Sequence, residues 1–243
     1  MKKLLGLMGF FLMLTGTAQT ADQVIDNYIK AIGGKEKVAA VKAVQKKDLM
    51  NMQGMDFPME NYQDTSGRMY STMEMGGQKV ILVAFDGKKG FMFDNRSFGY
   101  MDIPEDKAEQ FKDKAKNIFG AFYEYKKQGN TVKYKGQKDI NGKKMEVIEM
   151  HLKKPAEGGI QDLIAYFDTD NHLLKGIEIN NLGKKILTRI NDYKEFDGVK
   201  FPIEIVTEVD GVPQMTLKTE SVTVNPPAPS KDKFIKPNNS QNK

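Results

Sequence analysis

Ile81-Leu82-Val83-Ala84-Phe85-Asp86-Gly87-Lys88-Lys89-Gly90-Phe91-Met92-Phe93 decides the fold. Residues 80–85 form a short apolar run, Asp86-Gly87 is a turn, and residues 91–93 start a second run. A strand, a tight turn and a strand pair antiparallel. The texture continues upstream. Met50 and Met52 alternate with Asn51 before Gly54, and Asp64-Thr65-Ser66-Gly67 reads as a turn. Met69, Ser71, Met73 and Met75 share one parity before Gly76-Gly77. Downstream, Asn141-Gly142 is the strongest hairpin signal, joining residues 132–140 to 143–152. Residues 160–168 and 173–180 flank Thr169-Asp170-Asn171, and Leu182-Gly183 separates them from 184–193. Asp197-Gly198 and Asp210-Gly211 mark hairpins into 201–209 and 214–224. The total is about ten strands.

Helices interrupt this pattern in two places. Val24, Ile25, Tyr28, Ile29 and Ile32 share one face of a helix over 22–32, which Gly33-Gly34 stops. Residues 35–41 read as a second short helix with Val38 and Val41 inward. Ala108, Phe111, Ala115, Ile118, Phe119 and Phe122 predict an amphipathic helix over 108–122. Asp102 and Glu105 can cap its start, and Pro104 suits its first turn. No βαβ rhythm appears, which excludes a doubly wound sheet or a TIM barrel. The expected fold is mainly β with helices (α+β): one large, strongly curved antiparallel sheet with helices on one side.

Before the first helix, Met1-Lys2-Lys3 is a positive n-region and residues 4–14 are apolar apart from two glycines. Gly16-Thr17-Ala18 supplies small residues for a peptidase. Residues 1–18 are expected to be a secretory signal peptide, cleaved after Ala18 or after Thr20. The run is shorter than the ~20 residues a spanning helix needs. The mature protein is then exported, with the periplasm as its expected compartment. One domain over 19–236 and a disordered tail over 237–243 complete the division.

Composition narrows the chemistry. The 243 residues include no cysteine and two histidines, His151 and His172, and the net charge is +5. Disulfides, thiolate metal sites, cysteine nucleophiles and N-terminal lipidation on cysteine are excluded. The mixed charge is not a nucleic-acid footprint. Neither histidine sits in a metal-ligand pattern, and there is no Gly-x-Ser-x-Gly, P-loop or dinucleotide fingerprint. No cofactor, no metal and no catalysis are expected. Lys46-Lys47, Lys126-Lys127, Lys143-Lys144 and Lys184-Lys185 read as solvated faces bordering turns.

Methionine is the unusual residue. Twelve of 15 follow the signal segment, and seven fall between Met50 and Met75. The side chain is flexible and polarisable, so it suits a surface that fits varied apolar shapes. A ligand lining, an ordinary sheet core and a thioether copper(I) site are all compatible with the pattern.

Several stretches together resemble a known group. Val24-Ile25-Asp26-Asn27-Tyr28 through Ala31-Ile32-Gly33-Gly34-Lys35-Glu36-Lys37, the Asp86-Gly87-Lys88 hairpin, Asp192-Tyr193 with Asp197-Gly198-Val199-Lys200-Phe201-Pro202, and Phe234-Ile235-Lys236-Pro237 resemble outer-membrane lipoprotein-sorting proteins of the LolA/LolB-like superfamily. The resemblance implies an incomplete antiparallel β-barrel, a half-pipe with helices packed on or capping its concave face. It also implies a periplasmic, monomeric carrier for the acyl chain of lipoproteins or another apolar ligand, in transient contact with a membrane-bound donor and acceptor. Stress-regulator relatives give an alternative: a sensor or adaptor that binds protein partners through the same sheet. The expected cavity lining is Met50, Met52, Met69, Met73, Met75, Val83, Phe91, Phe93, Phe111, Ile118 and Phe119, with the inserted helix either a lid or a permanently packed helix. The family carrier holds its lid with an arginine early in the strand before the hairpin. The matching stretch here is Tyr62-Gln63-Asp64-Thr65, and Arg68 lies several residues later.

Overall fold

The structure is a computed structural model and describes residues 19–237. The predicted signal segment 1–18 and residues 238–243 of the predicted tail lie outside the described residues. Two helices open the chain, α1 (Ala21–Ala31) and α2 (Lys35–Ala40). Six strands follow: β1 (Ala43–Met52), β2 (Met55–Asp64), β3 (Met69–Met75), β4 (Gln78–Phe85), β5 (Gly90–Asp94) and β6 (Gly99–Asp102). Helix α3 (Glu105–Lys116) then leads to β7 (Thr131–Ile140), β8 (Lys143–His151), β9 (Asp162–Asp168), β10 (Leu174–Asn181), β11 (Lys184–Phe196), β12 (Val199–Val209) and β13 (Val212–Val224).

All thirteen strands form one antiparallel sheet, in the order β6-β5-β4-β3-β2-β1-β13-β12-β11-β10-β9-β8-β7. Each half is a meander of hairpins. Pairing of β1 with β13 joins the halves, and Asn225 fixes it by accepting from the Lys42 and Ala43 amides at 2.7 and 3.2 Å. The edges are β6 and β7, consecutive strands at opposite ends of the sheet. The sheet is therefore open.

The segment between these edges shows which way the sheet curves. Phe111 packs on Phe85 of β4 with ring centroids 6.0 Å apart, and Phe122 on Phe167 of β9 at 5.2 Å. In a flat sheet β4 and β9 would lie about 38 Å apart, at ~4.8 Å per strand. From residue 111 to 122 the chain reaches roughly 27 Å at most, counting helix to Lys116 and extended chain beyond. Turns within residues 117–122 shorten that reach, and the sheet curls toward this segment. The two faces are called concave and outer below.

Most of the core lies on the concave face. Thr20 and Gln23 form a reciprocal capping box that starts α1. Val24, Ile25, Tyr28 and Ile29 of α1, with Ile32 just after it, bury themselves against Val44, Ile148, Met150, Leu163, Ala165, Phe167, Ile190, Phe201 and Val222. Gly33 ends the helix where it touches the sheet. Its φ is +139°, and a Cβ there would meet the Gly198 carbonyl oxygen at 2.7 Å. Beside it, the Lys200 amide donates to the Ile32 carbonyl at 2.7 Å. A second cluster, Met69, Phe85, Ile103 and Ala115 with Val83, Ala108 and Phe111, seats α3 on β3 and β4.

Several expectations need correction. The inserted helix covers Glu105–Lys116, not 108–122, and its N-cap is Pro104 with no side-chain cap. Asn117 leaves helical geometry at ψ 61°, and Gly120 (φ +76°) keeps the chain in turns, so Ile118 and Phe119 lie beyond the helix. Thirteen strands form where about ten were expected, eleven of them at stretches the sequence marks. The unread ones are β2, where Pro58 masks the pattern, and the four-residue β6. Pro58 is tolerated because the β2–β3 pairing begins only at Met59.

Candidate functional site

Strand register assigns the site. In β1 the even residues Val44, Lys46, Asp48, Met50 and Met52 face inward, since Val44 belongs to the core beneath α1. Their partners in β2 are Gln63, Asn61, Met59, Phe57 and Met55. Met59 faces Met73 across β2 and β3, and Met52 faces Met215 on the other side. Met92 faces Val83 and Met101 faces Met92. The methionines of β1 to β6 thus all lie on the concave face.

This face has a covered end and an uncovered end. Where α1 and α3 sit, it is dry core. Toward the hairpin tips at Gly54, Gly76-Gly77 and Asp210-Gly211, Met50, Met52, Met59, Met73 and Met75 belong to none of the packed clusters. Met50 is buried, Met59 and Met73 are partly buried, and Met52 and Met75 are exposed at 41% and 36%. Leu217 and Ile205 extend the strip across β13 and β12.

The structure brings together nine of the eleven predicted lining residues on the concave face. Met50, Met52, Met73 and Met75 lie at the uncovered end. Met69, Val83 and Phe111 fill the interface with α3, while Ile118 and Phe119 pack against the core beneath α1. Phe91 and Phe93 are not brought there. Phe91 is opposite Ala84 and joins Ala43, Tyr62, Tyr70 and Tyr100 on the outer face, where Phe93 contacts Tyr100 at 5.8 Å. Parity along β5 places both phenylalanines there.

Sequence reasoning missed the polar side chains within the apolar strip. Lys46 lies inside β1 and points inward, although Lys46-Lys47 read as a solvated pair beside a turn. Its Nζ lies 5.5 Å from the centroid of the Phe201 ring, which stacks on Phe119 at 5.6 Å. Burial pushes the Lys46 ammonium below the usual lysine range, and Asp48 pulls it partly back. Asp48 is buried, accepting from Thr219 at 2.6 Å and Asn61 at 2.7 Å, and Asn61 in turn accepts from Ser71 at 2.6 Å. A signal existed, because Lys46 and Asp48 share parity with Met50 and Met52.

Arg68 is already engaged. Its guanidinium binds Asp64 at 2.7 Å and Ser66 at 3.1 Å, closing the β2–β3 turn. Helix α3 is instead held by Phe111 on Phe85, by Lys112 lying over Gly67, and by Lys154 donating to Asp113 at 2.6 Å. The last contact ties it to the segment that follows β8.

Beside its aromatic cluster the outer face carries a locked polar group. Glu60 accepts from Tyr70 and Lys79, each at 2.7 Å. Burial raises its pKa, but these two donors outweigh burial and hold the carboxyl at about 2. A depression of about 190 Å³ lined by Tyr70, Thr72, Lys79, Ile81 and Lys233 lies beside it. Among the described residues, no group of three His, Asp or Glu is placed to hold a metal ion. His151 pairs with Asp162 at 2.7 Å in the open. No described helix is long and apolar enough to cross a membrane.

No protein-family model and no curated protein matches the chain. Solved structures do. A DUF1329 family protein from Desulfovibrio piger ATCC 29098 aligns with a TM-score of 0.58 at 11% identity, over 88% of this chain and 98% of that one. A LolA superfamily protein from Nitrosomonas europaea aligns at 0.56 and 11%, over 90% and 99%. A domain from Vibrio parahaemolyticus named for outer-membrane lipoprotein sorting aligns at 0.52 and 9%, over 86% and 97%. An open antiparallel barrel, helices on its concave face and these alignments over most of the chain give one conclusion: this protein has the fold of LolA superfamily proteins.

Proposed function

We propose that the protein is a periplasmic, non-catalytic carrier that binds lipidated or hydrophobic ligands on its concave face, in the service of outer-membrane lipoprotein sorting. One observation carries this reading: the uncovered methionine strip continuous with the core. An acyl chain gains about 0.8 kcal/mol per buried methylene, so a long chain needs a dry sleeve to cross water. Methionine adapts to such a chain without one fixed shape. The names of the Nitrosomonas and Vibrio neighbours support the same reading, as does the expected signal peptide. Helix α3 presents a thin apolar stripe to β3 and β4, with Ala115 its one buried residue. Such a helix can lift at modest cost to admit or release a chain.

Native mass spectrometry of the mature protein from periplasm, followed by lipid extraction, tests the proposal. The expected result is a bound acylated mass, lost in a Met59→Glu/Met73→Glu double variant that keeps its circular dichroism spectrum. A clean apo mass with no uptake of added lipopeptide would sink the carrier reading and favour an adaptor for protein partners.

A further inference from the structure

We infer that the ligand is an amphiphile with an acidic head, carboxylate or phosphate, and that Lys46 receives this head inside the groove. The inference rests on the carrier reading above. Lys46 is a cation on the concave wall, opposite Asn61 and between the ring of Phe201 and the methionine strip. Its side chain forms no hydrogen bond and no ion pair among the described residues. Asp48, two residues along the same wall, attracts Lys46 but forms no ion pair with it, and its carboxylate accepts from Thr219 and Asn61 instead. Lys46 keeps some contact with solvent while protein surrounds it closely, as befits a group on the floor of a concavity.

A cation held this way is costly unless something offsets its lost hydration. The ring of Phe201 offsets part of that cost. An acid group would offset more, because an ammonium offers three donors to its oxygens. The position also suits an amphiphile better than a free anion. From Lys46 the wall passes Asp48, with Met59 opposite it, and reaches Met50 and Met52, which at ~3.3 Å per residue gives about 20 Å of strand with its apolar part toward the tips. A head on Lys46 thus lays its tail along the strip toward the hairpin tips.

The test measures binding of oleate, oleoyl lysophosphatidate and neutral monooleoylglycerol to the mature protein by calorimetry, with acetate and inorganic phosphate as heads without tails. The two acids are expected to bind at least tenfold more tightly than the neutral lipid, and the tighter of them names the head. Lys46→Met should lower both to the neutral level and leave monooleoylglycerol unchanged. Lys46→Arg should keep the preference, and thermal melts should show both variants folded. Equal binding of all three lipids by the native protein, or a preference that survives Lys46→Met, would overturn the role of Lys46 and leave the carrier reading standing. Binding of acetate or phosphate as tight as that of the lipids would make this a free-anion site. If no lipid binds, the carrier reading falls, and this inference with it.

Discussion

The concave face has two ends, built on the same strands and filled in different ways. Where α1 lies, the strands present Val44, Phe167, Phe201 and Val222, interlocked with Tyr28 and Phe122. A few residues further along the sheet they present Met50, Met52, Met59 and Met73, which belong to none of the packed clusters. The alternation that points these residues inward is the same at both ends. What changes is the kind of side chain. Branched and aromatic groups have few rotamers and fix one packing, whereas methionine accepts many. One strand therefore serves as core at one end and as an adaptable wall at the other.

The largest test of this contrast is a pair of truncations. Phe167→Ala removes a ring packed against Tyr28 at 5.4 Å and Phe122 at 5.2 Å, and should cost about 3–5 kcal/mol in urea unfolding. Met73→Ala should cost below about 1 kcal/mol, because its site is not closed over. Comparable losses would show that the uncovered end is ordinary packed core.

A second test sets the concave face against the outer one. Glu60 has its carboxyl held at about 2, against an ordinary 4.5. A lowered carboxyl pKa adds stability that is complete above the unfolded value and is lost as pH falls through the folded one. The native protein should thus lose stability relative to Glu60→Gln between about pH 4.5 and pH 2. Urea midpoints measured across that range check this. A flat difference would mean that Lys79 and Tyr70 do not hold Glu60 in solution.

The smallest effect separates one hairpin tip from the others. Asn141, Asp197 and Asp210 occupy left-handed positions at φ 54°, 50° and 50°, where such residues are at ease. Leu182 occupies the same conformation at φ 51° and is 98% exposed. Leu182→Asn should raise stability by about 0.5–1 kcal/mol, read as a rise of a few degrees in the thermal midpoint. A lower midpoint would show that Leu182 packs on something in solution.

Much of this was legible in the sequence, because its causes are local. Asn141-Gly142, Asp197-Gly198 and Asp210-Gly211 turn as read, since left-handed dihedrals at two successive residues select those pairs. The inward stripe of α1 and its stop at Gly33-Gly34 follow from helical spacing and from the one residue without a Cβ. Parity grouped Met50 with Met52 and Met69 with Met73 and Met75, but it could not say which face of a strand is inside. Phe91 and Phe93 read as lining for that reason.

The sequence by itself determined an antiparallel β protein with helices, punctuated by named turns and rich in methionine on one side of its early strands. Hydrophobic period and turn chemistry act over a few residues, so they are written in the order of the chain. The tertiary structure alone decided that β1 pairs with β13, that the sheet stays open between β6 and β7, and that Lys46 turns inward beneath Phe201. Those outcomes depend on contacts between segments far apart in the chain, such as Lys42 with Asn225. Their energies exist only once the sheet has curled and the helices have chosen which end of it to cover.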